Sequence, residues 1–328
     1  MLRKKRYKPD PKWQSKPWIF TDLDKSILML LVRYRYLRGR YISALLGRQR
    51  VSVNRALNKL HGVRLIDKPR SQFLGWNSLN DSDIYEISSA GMKRMTDSVP
   101  EATNLVRQRG DAPVVQFAHA MMICDTLASI EIGVNRAGLT FITEAEITAK
   151  SPVKDPLRLP VELAHTFPNG NRERLKTYAR PDAVFGIRYQ DGRTRLFLLE
   201  CEHYSPTIRH TFKGTSTLKK IVAYRHLRSS DTLRQHLGKK RFTVLVVFPH
   251  QPDMIEKEET QNRPLTLISK AETLIMDVVG PNDLFYLKTV PLQEELLMAP
   301  SEYPELMFDE PWRVPGRDPR GINEPPAE

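Results

Sequence analysis

No His-x-His pair, Cys-x-x-Cys pair, glycine-rich phosphate loop or Gly-x-Ser-x-Gly elbow occurs in this sequence. Each absence removes a class of chemistry. Without clustered histidines a covalent tyrosine relaxase lacks its metal motif, and without the loop or the elbow neither a nucleotide-driven motor nor a serine hydrolase is expected. Cysteine is almost missing as well. Cys124 and Cys201, the two in 328 residues, fall inside expected core elements with no metal-ligand spacing, which suits buried thiols in a reducing cytoplasm. Long apolar runs are also lacking. The longest near the N-terminus, Ile27 to Val32, is far too short to span a bilayer, and the extreme N-terminus shows no secretory-signal pattern. A cytoplasmic protein without a membrane partner is therefore the expectation.

What the chain does have is a soluble composition, 40% hydrophobic and 27% charged, long enough for two domains. Its formal charge of +13 is unevenly spread. Residues 1–70 hold 19 Lys/Arg against four Asp, a local balance of +15. Clustering this strong favours a polyanion, and double-stranded DNA over an anionic membrane because no basic amphipathic membrane helix accompanies it. At the other end, residues 291–328 hold nine acids, three arginines and eight prolines. That composition reads as a disordered tail from residue 293 to 328, open to a protein partner.

Along the chain, residues 1–18, with Arg3, Lys4, Lys5 and Arg6, read as a flexible basic arm, free in solvent or laid along phosphates or a minor groove. Residues 19–99 read as a winged helix. Thr21-Asp22-Leu23-Asp24 starts a helix from about 22 to 37, a short helix follows around Ile42 to Leu46, and a third runs from about Ser52 to Leu60. The exposed side of that third helix offers Arg55, Asn58 and Lys59, with Arg48 and Arg50 in the turn before it. Arg and Asn in this setting make bidentate contacts to guanine and adenine edges, while Lys neutralises phosphate. Leu65–Asp67 and Ile84–Ile87 are the strands either side of a wing, and a short helix from Ser88 to Met95 closes the domain.

Residues 100–112 read as a linker, and residues 113–292 as an α/β domain with a mixed sheet. It is expected to open with a helix to about Val134, carrying Glu131 as a carboxylate to watch, and a strand from Leu139 to Ile147 with Glu144 and Glu146. Lys150 to Tyr178, rich in proline and basic residues, reads as a long loop, either a mobile flap or disordered. The centre of the domain is a hairpin, Arg180 to Ile187 and Leu196 to Glu202. A two-residue turn would send its carboxylates apart. A three-residue turn, Gln190-Asp191-Gly192, pairs Tyr189 with Arg193, places Gly at the left-handed position and sets Asp182 opposite Glu200, with Glu202 on the same face. The three-residue turn is the expected one. Three hard oxygen ligands grouped this way suit Mg2+ or Mn2+.

Pro181-Asp182, followed about 18 residues later by Glu200-Cys201-Glu202, resembles the PD-(D/E)xK signature of restriction-endonuclease-like nucleases. One position departs from it, since Glu202 stands where most of that superfamily has lysine. The next helix, Thr217 to Tyr224, offers Lys219 or Lys220 as a replacement and places Lys220 and Tyr224 four apart on one face. Arg-Pro-Asp, Glu-x-acid and Lys-Ile-x-x-Tyr after a winged-helix N-terminus resemble the replication-relaxation family of plasmids and integrative elements, including MobC-type mobilisation proteins, from about residue 20 to about 290. That resemblance implies a DNA endonuclease of the nickase or relaxase kind acting in conjugation or plasmid mobilisation. In the expected site, Asp182 and Glu200 hold the ion, Glu202 is a further ligand or base, Lys220 balances charge on phosphorus and Tyr224 orients it. The alternative is a non-catalytic regulator of transcription or replication, with a degenerate nuclease fold serving dimerisation.

Overall fold

The computed structural model describes residues 8–13, 17–73, 83–98, 114–167, 170–202, 212, 216–249, 267–290 and 306–325. They divide into two compact units, one drawn from residues 1–133 and 293–307 and the other from 134–292 and 308–328. Arg3, Lys4, Lys5 and Arg6 of the expected arm and the expected linker at 100–112 lie outside the described residues.

The first unit begins with α1 (Asp22–Arg33). Thr21 and Asp24 form a reciprocal capping box, each side chain accepting from the other's backbone N–H. The helix stops short of residue 37 because Leu37–Arg38 leave it to form strand β1. α2 (Gly39–Leu45), α3 (Arg50–Gly62), β2 (Ile66–Asp67), β3 (Ile84–Ile87) and α4 (Ser89–Ser98) follow. The strands pair antiparallel in the order β1-β3-β2. Ile27 and Leu31 of α1 meet Val53, Leu57 and Leu60 of α3 and Ile66 of β2 in one core. These are the apolar positions of the 3.6-residue period, turned inward together.

α5 (Val114–Arg136) corrects an expectation, because Ala128 and Ile132 join this first core rather than opening the second domain. Arg38 grips the α5 carboxylate of Asp125 through Nε and Nη2 at 2.9 to 3.1 Å, with both side chains almost fully buried. Its Glu131 accepts from Arg33 and Tyr34. Among the described residues one helical stretch, Gln116–Arg136, is long and apolar enough to cross a membrane, and most of it is buried within the protein. The helix is apolar on nearly every side and so is covered on nearly every side.

The second unit opens with β4 (Thr140–Ile142) and α6 (Glu144–Thr148), where one continuous strand was expected. Thr143 and Glu146 form a capping box that starts the helix. Next come β5 (Leu159–Thr166) and β6 (Arg172–Ala179), a paired hairpin in place of the expected loop or flap. The prolines of this stretch sit before and between the strands, or at the edge position Pro160. β7 (Ala183–Arg188), β8 (Thr194–Cys201), α7 (Thr217–Ser229), α8 (Thr232–Leu237), β9 (Thr243–Pro249), α9 (Leu267–Val279) and β10 (Phe285–Val290) build the centre. After α10 (Leu306–Asp309), whose first two residues belong to the first unit, β11 (Trp312–Val314) and β12 (Arg317–Arg320) end it. The seven-stranded sheet has the order β12-β11-β10-β9-β8-β7-β4, with β8, β9 and β10 mutually parallel and the other neighbours antiparallel.

The expected disordered tail is thus corrected over residues 306–325. Trp312 and Ile322 are fully buried, and the Tyr189 hydroxyl donates to the Ile322 carbonyl at 2.8 Å. An acidic, proline-rich segment packs here because β10 already supplies the apolar surface, so a few well-spaced apolar residues suffice. Trp312→Ala is expected to destabilise the second unit by about 3–5 kcal/mol. A thermal melt checks this, since a residue on a free tail would leave the transition where it was.

Candidate active site

The site is set by one turn. Gly192 has φ 82°, its N–H donates to Tyr189 O at 3.0 Å, and Tyr189 N donates to Arg193 O at 2.9 Å. This is the three-residue loop, with glycine where a left-handed backbone is required. The ladder runs from Arg188↔Thr194 to Ala183↔Leu199, and Asp182 N donates to Leu199 O at 2.9 Å. Asp182 consequently stands opposite Glu200.

β8 is buried from Leu196 to Cys201: β7 and β9 flank it, the α7 layer covers one face, and on the other Phe197 stacks in a row with Phe185 and Phe141 of the neighbouring strands. Glu200 therefore ends on the α7 face of a closed strand, 4% exposed. α7 starts at Ser216, whose hydroxyl accepts from Lys219 N at 3.1 Å. Leu218, Ile221, Val222 and Leu227 anchor the helix in the core. That seating brings Lys220 Nζ to 2.7 Å from both Glu200 Oε2 and Glu202 Oε1. One turn on, the Tyr224 hydroxyl donates to Glu200 Oε1. Asp182 Oδ2 accepts from Cys201 N at 2.8 Å. Asp182, Glu200, Glu202, Lys220 and Tyr224 are thus brought together, and Lys220 rather than Lys219 pairs with the acids.

The electrostatics follow from burial. Desolvation pushes Glu200 up to about 7 from an ordinary 4.5, with Lys220 opposing the rise and Asp182 adding to it. Burial alone would weaken the charge on Lys220, but Glu200 and Glu202 outweigh it and hold the ammonium well above its usual range. Tyr224 and Cys201 are raised, first by desolvation and then by the neighbouring acids. Cys201 is consequently a buried, unreactive thiol. A cavity of about 220 Å3 opens at the cluster, lined by Thr177, Tyr178, Ala179 and Arg180 of the β6 end together with Glu200, Lys219, Lys220 and Tyr224. The chain matches no family model, and no curated protein or solved structure matches it. Geometry and chemistry therefore carry the functional argument.

Other candidate residues have different fates. Arg48, Arg50, Arg55 and Asn58 are exposed in the turn and on α3. Lys59 is not available on that face, because its ammonium pairs with the fully buried Asp24 carboxylate and donates to Ile19 O. Part of the basic arm is structured too. Pro11–Trp13 form a 3-10 turn, Trp13 lies so close to Gly62 that an added Cβ would meet it at 2.5 Å, and Lys8 and Lys12 line a cavity with Arg55 and Asn58. Glu131 is consumed by Arg33 and Tyr34 in the first unit. Glu144 accepts from Val184 N at 3.1 Å and so props the start of β7. Sequence reasoning missed Thr177 and Tyr178, although the period-two run Arg172, Arg174, Lys176, Tyr178 carried the signal of a strand.

Because the folded state holds the Glu200 proton more tightly than an unfolded chain does, the stability this gives is full below about 4.5 and is lost as pH rises through about 7. Without added metal, this contribution should fall between about pH 4.5 and 7 and level off above, and Glu200→Gln should flatten that dependence. In Lys220→Met the opposing ammonium is gone, so the Glu200 carboxyl should titrate above 7, as read by carbon NMR.

Proposed function

We propose that this chain binds double-stranded DNA through its first unit, read as a winged helix, and nicks it with the acid–lysine cluster of its second, read as a PD-(D/E)xK-type fold. The observation that carries this reading is the position of Lys220, whose ammonium reaches both Glu200 and Glu202 at 2.7 Å. A lysine missing from the strand is replaced from the next helix. The antiparallel β4, β7 and β8 followed by a helical crossover to parallel β9 support the fold reading. The exposed Arg48, Arg50, Arg55 and Asn58 support the DNA reading. Under it, the protein is of replication-relaxation type and processes a plasmid or integrative element.

The donor set suits Mg2+ or Mn2+. Asp182, Glu200 and Glu202 offer carboxylate oxygens; Glu200 Oε1 accepts from Tyr224 and Oε2 pairs with Lys220, and each retains a further lone pair. A divalent ion held there supplies Lewis-acid polarisation of the scissile phosphate. The chain's own groups do the rest. Lys220 offsets charge growing on phosphorus, Tyr224 fixes the Glu200 carboxylate, and Glu202, held by Lys220, is the further ligand or the base that takes a proton from an attacking water.

A second reading, a DNA-binding regulator, is favoured by one observation. Among the described residues no group of three His, Cys, Asp or Glu is arranged to hold a metal ion. Supercoiled DNA separates the two. With Mg2+ or Mn2+ the wild type should yield open circles, and Glu200→Ala or Lys220→Met should lower the rate at least about 100-fold. Gel-shift affinity for the duplex should persist in EDTA. Binding without nicking by the wild type would leave the regulator standing.

A further inference from the structure

The β5–β6 hairpin has two faces of opposite chemistry. Leu159, Val161 and Leu163 are buried in the core with α7. Arg225 of α7 fastens the strand by donating to Ala164 O at 3.1 Å while its other nitrogen donates to Val278 O at 2.7 Å. On β6, alternation puts Arg172, Arg174, Lys176 and Tyr178 on the outer face, all exposed, and Arg180 extends the row. Successive members are about 6.6 Å apart. Glu162, opposite Lys176, is the acid on that face of β5, and no ion pair joins Arg172, Arg174 or Lys176 to a described residue.

The row also has a flat platform and a destination. Tyr178 is 51% exposed, and the Arg158 guanidinium lies over its ring at 3.9 Å, which holds the ring in place while leaving it accessible. Tyr178 and Arg180 line the same cavity as Glu200 and Lys220. Cations spaced along an extended strand follow a phosphate backbone, and an exposed aromatic ring stacks on a base that is not already stacked in a duplex. A purely solvated basic face needs neither the platform nor the cavity.

We propose that the outer face of this hairpin is a track for single-stranded DNA, which leads one strand to the acidic cluster. The track rests on the nuclease reading for what happens at its end, but strand binding is independent of cleavage and is measured without metal. The experiment is fluorescence anisotropy of the full chain with a labelled oligo-dT in EDTA, over a salt series. Wild type is compared with Arg172→Ser/Arg174→Ser/Lys176→Ser, with Tyr178→Ala and with Tyr178→Phe. Loss of three phosphate contacts should reduce the log–log salt slope by about 2. Tyr178→Ala should weaken binding about 10-fold, and Tyr178→Phe should restore it. Duplex binding should be unchanged, as should the thermal melt, since these side chains are exposed. A wild type that ignores oligo-dT, or a triple variant with an unaltered slope, overturns the track. Equal loss of duplex and single-strand affinity also overturns it, because that outcome is general charge attraction. Failure to nick supercoiled DNA would sink the nuclease reading and leave these measurements intact.

Discussion

A carboxylate at the end of a strand covered on both faces needs a cation, and its own strand cannot provide one. Glu200 is followed by Cys201, which points to the opposite face, and by Glu202, which adds a second negative charge on the same face. The cation has to arrive from the layer above. That layer is α7, the helix leading toward parallel β9, and Lys220 is on the turn that lies over the strand end. Removing one partner of so buried a pair leaves the other uncompensated, which is far costlier than losing an exposed pair such as Asp191 and Arg193. The seating of α7 and the ionisation of Glu200 are consequently one problem with one solution.

The same logic governs the first unit, where it limits how much of the basic excess can serve a polyanion. Arg38 is held by Asp125, Arg33 by Glu131, Lys59 by Asp24 and Lys68 by Asp83. Burial raises the Asp125 carboxyl and Arg38 pulls it back, so this contact is a desolvated pair rather than a surface bridge. These four cations are spent on internal structure. Among the described residues, Arg48, Arg50 and Arg55 stay exposed in the turn before α3 and on its outer face, where they are available to the proposed polyanion.

Legibility followed the range of the interactions involved. The turn at Gly192, the register of Asp182 against Glu200 and the capping box at Thr21 could be read because they depend on a few adjacent residues. The placement of α5 could not. Its apolar residues run all round the helix, so periodicity gives no direction, and its partners Arg33 and Arg38 are some ninety residues away. Lys59 looked like a solvent-facing residue because Asp24, 35 positions earlier, is invisible to a helical wheel. The hairpin at 159–179 was hidden by prolines that read as loop punctuation although none interrupts the central ladder. The C-terminal strands were hidden by composition, which averages away Trp312.

A lysine carried on a helix takes its position from the docking of that helix. A strand lysine is aimed by the sheet pleat alone, whereas Lys220 is aimed by the docking of α7. That docking is shared with the hairpin, through Leu159, Val161 and Leu163 on one side of the helix layer and through Arg225 on Ala164. The surface that presents Tyr178 and Arg180 to the cavity and the helix that presents Lys220 to Glu200 therefore rest on the same apolar contacts. A shift of the hairpin would alter the distance from ammonium to carboxylate, and with it the opposing charge that keeps Glu200 near 7 rather than higher.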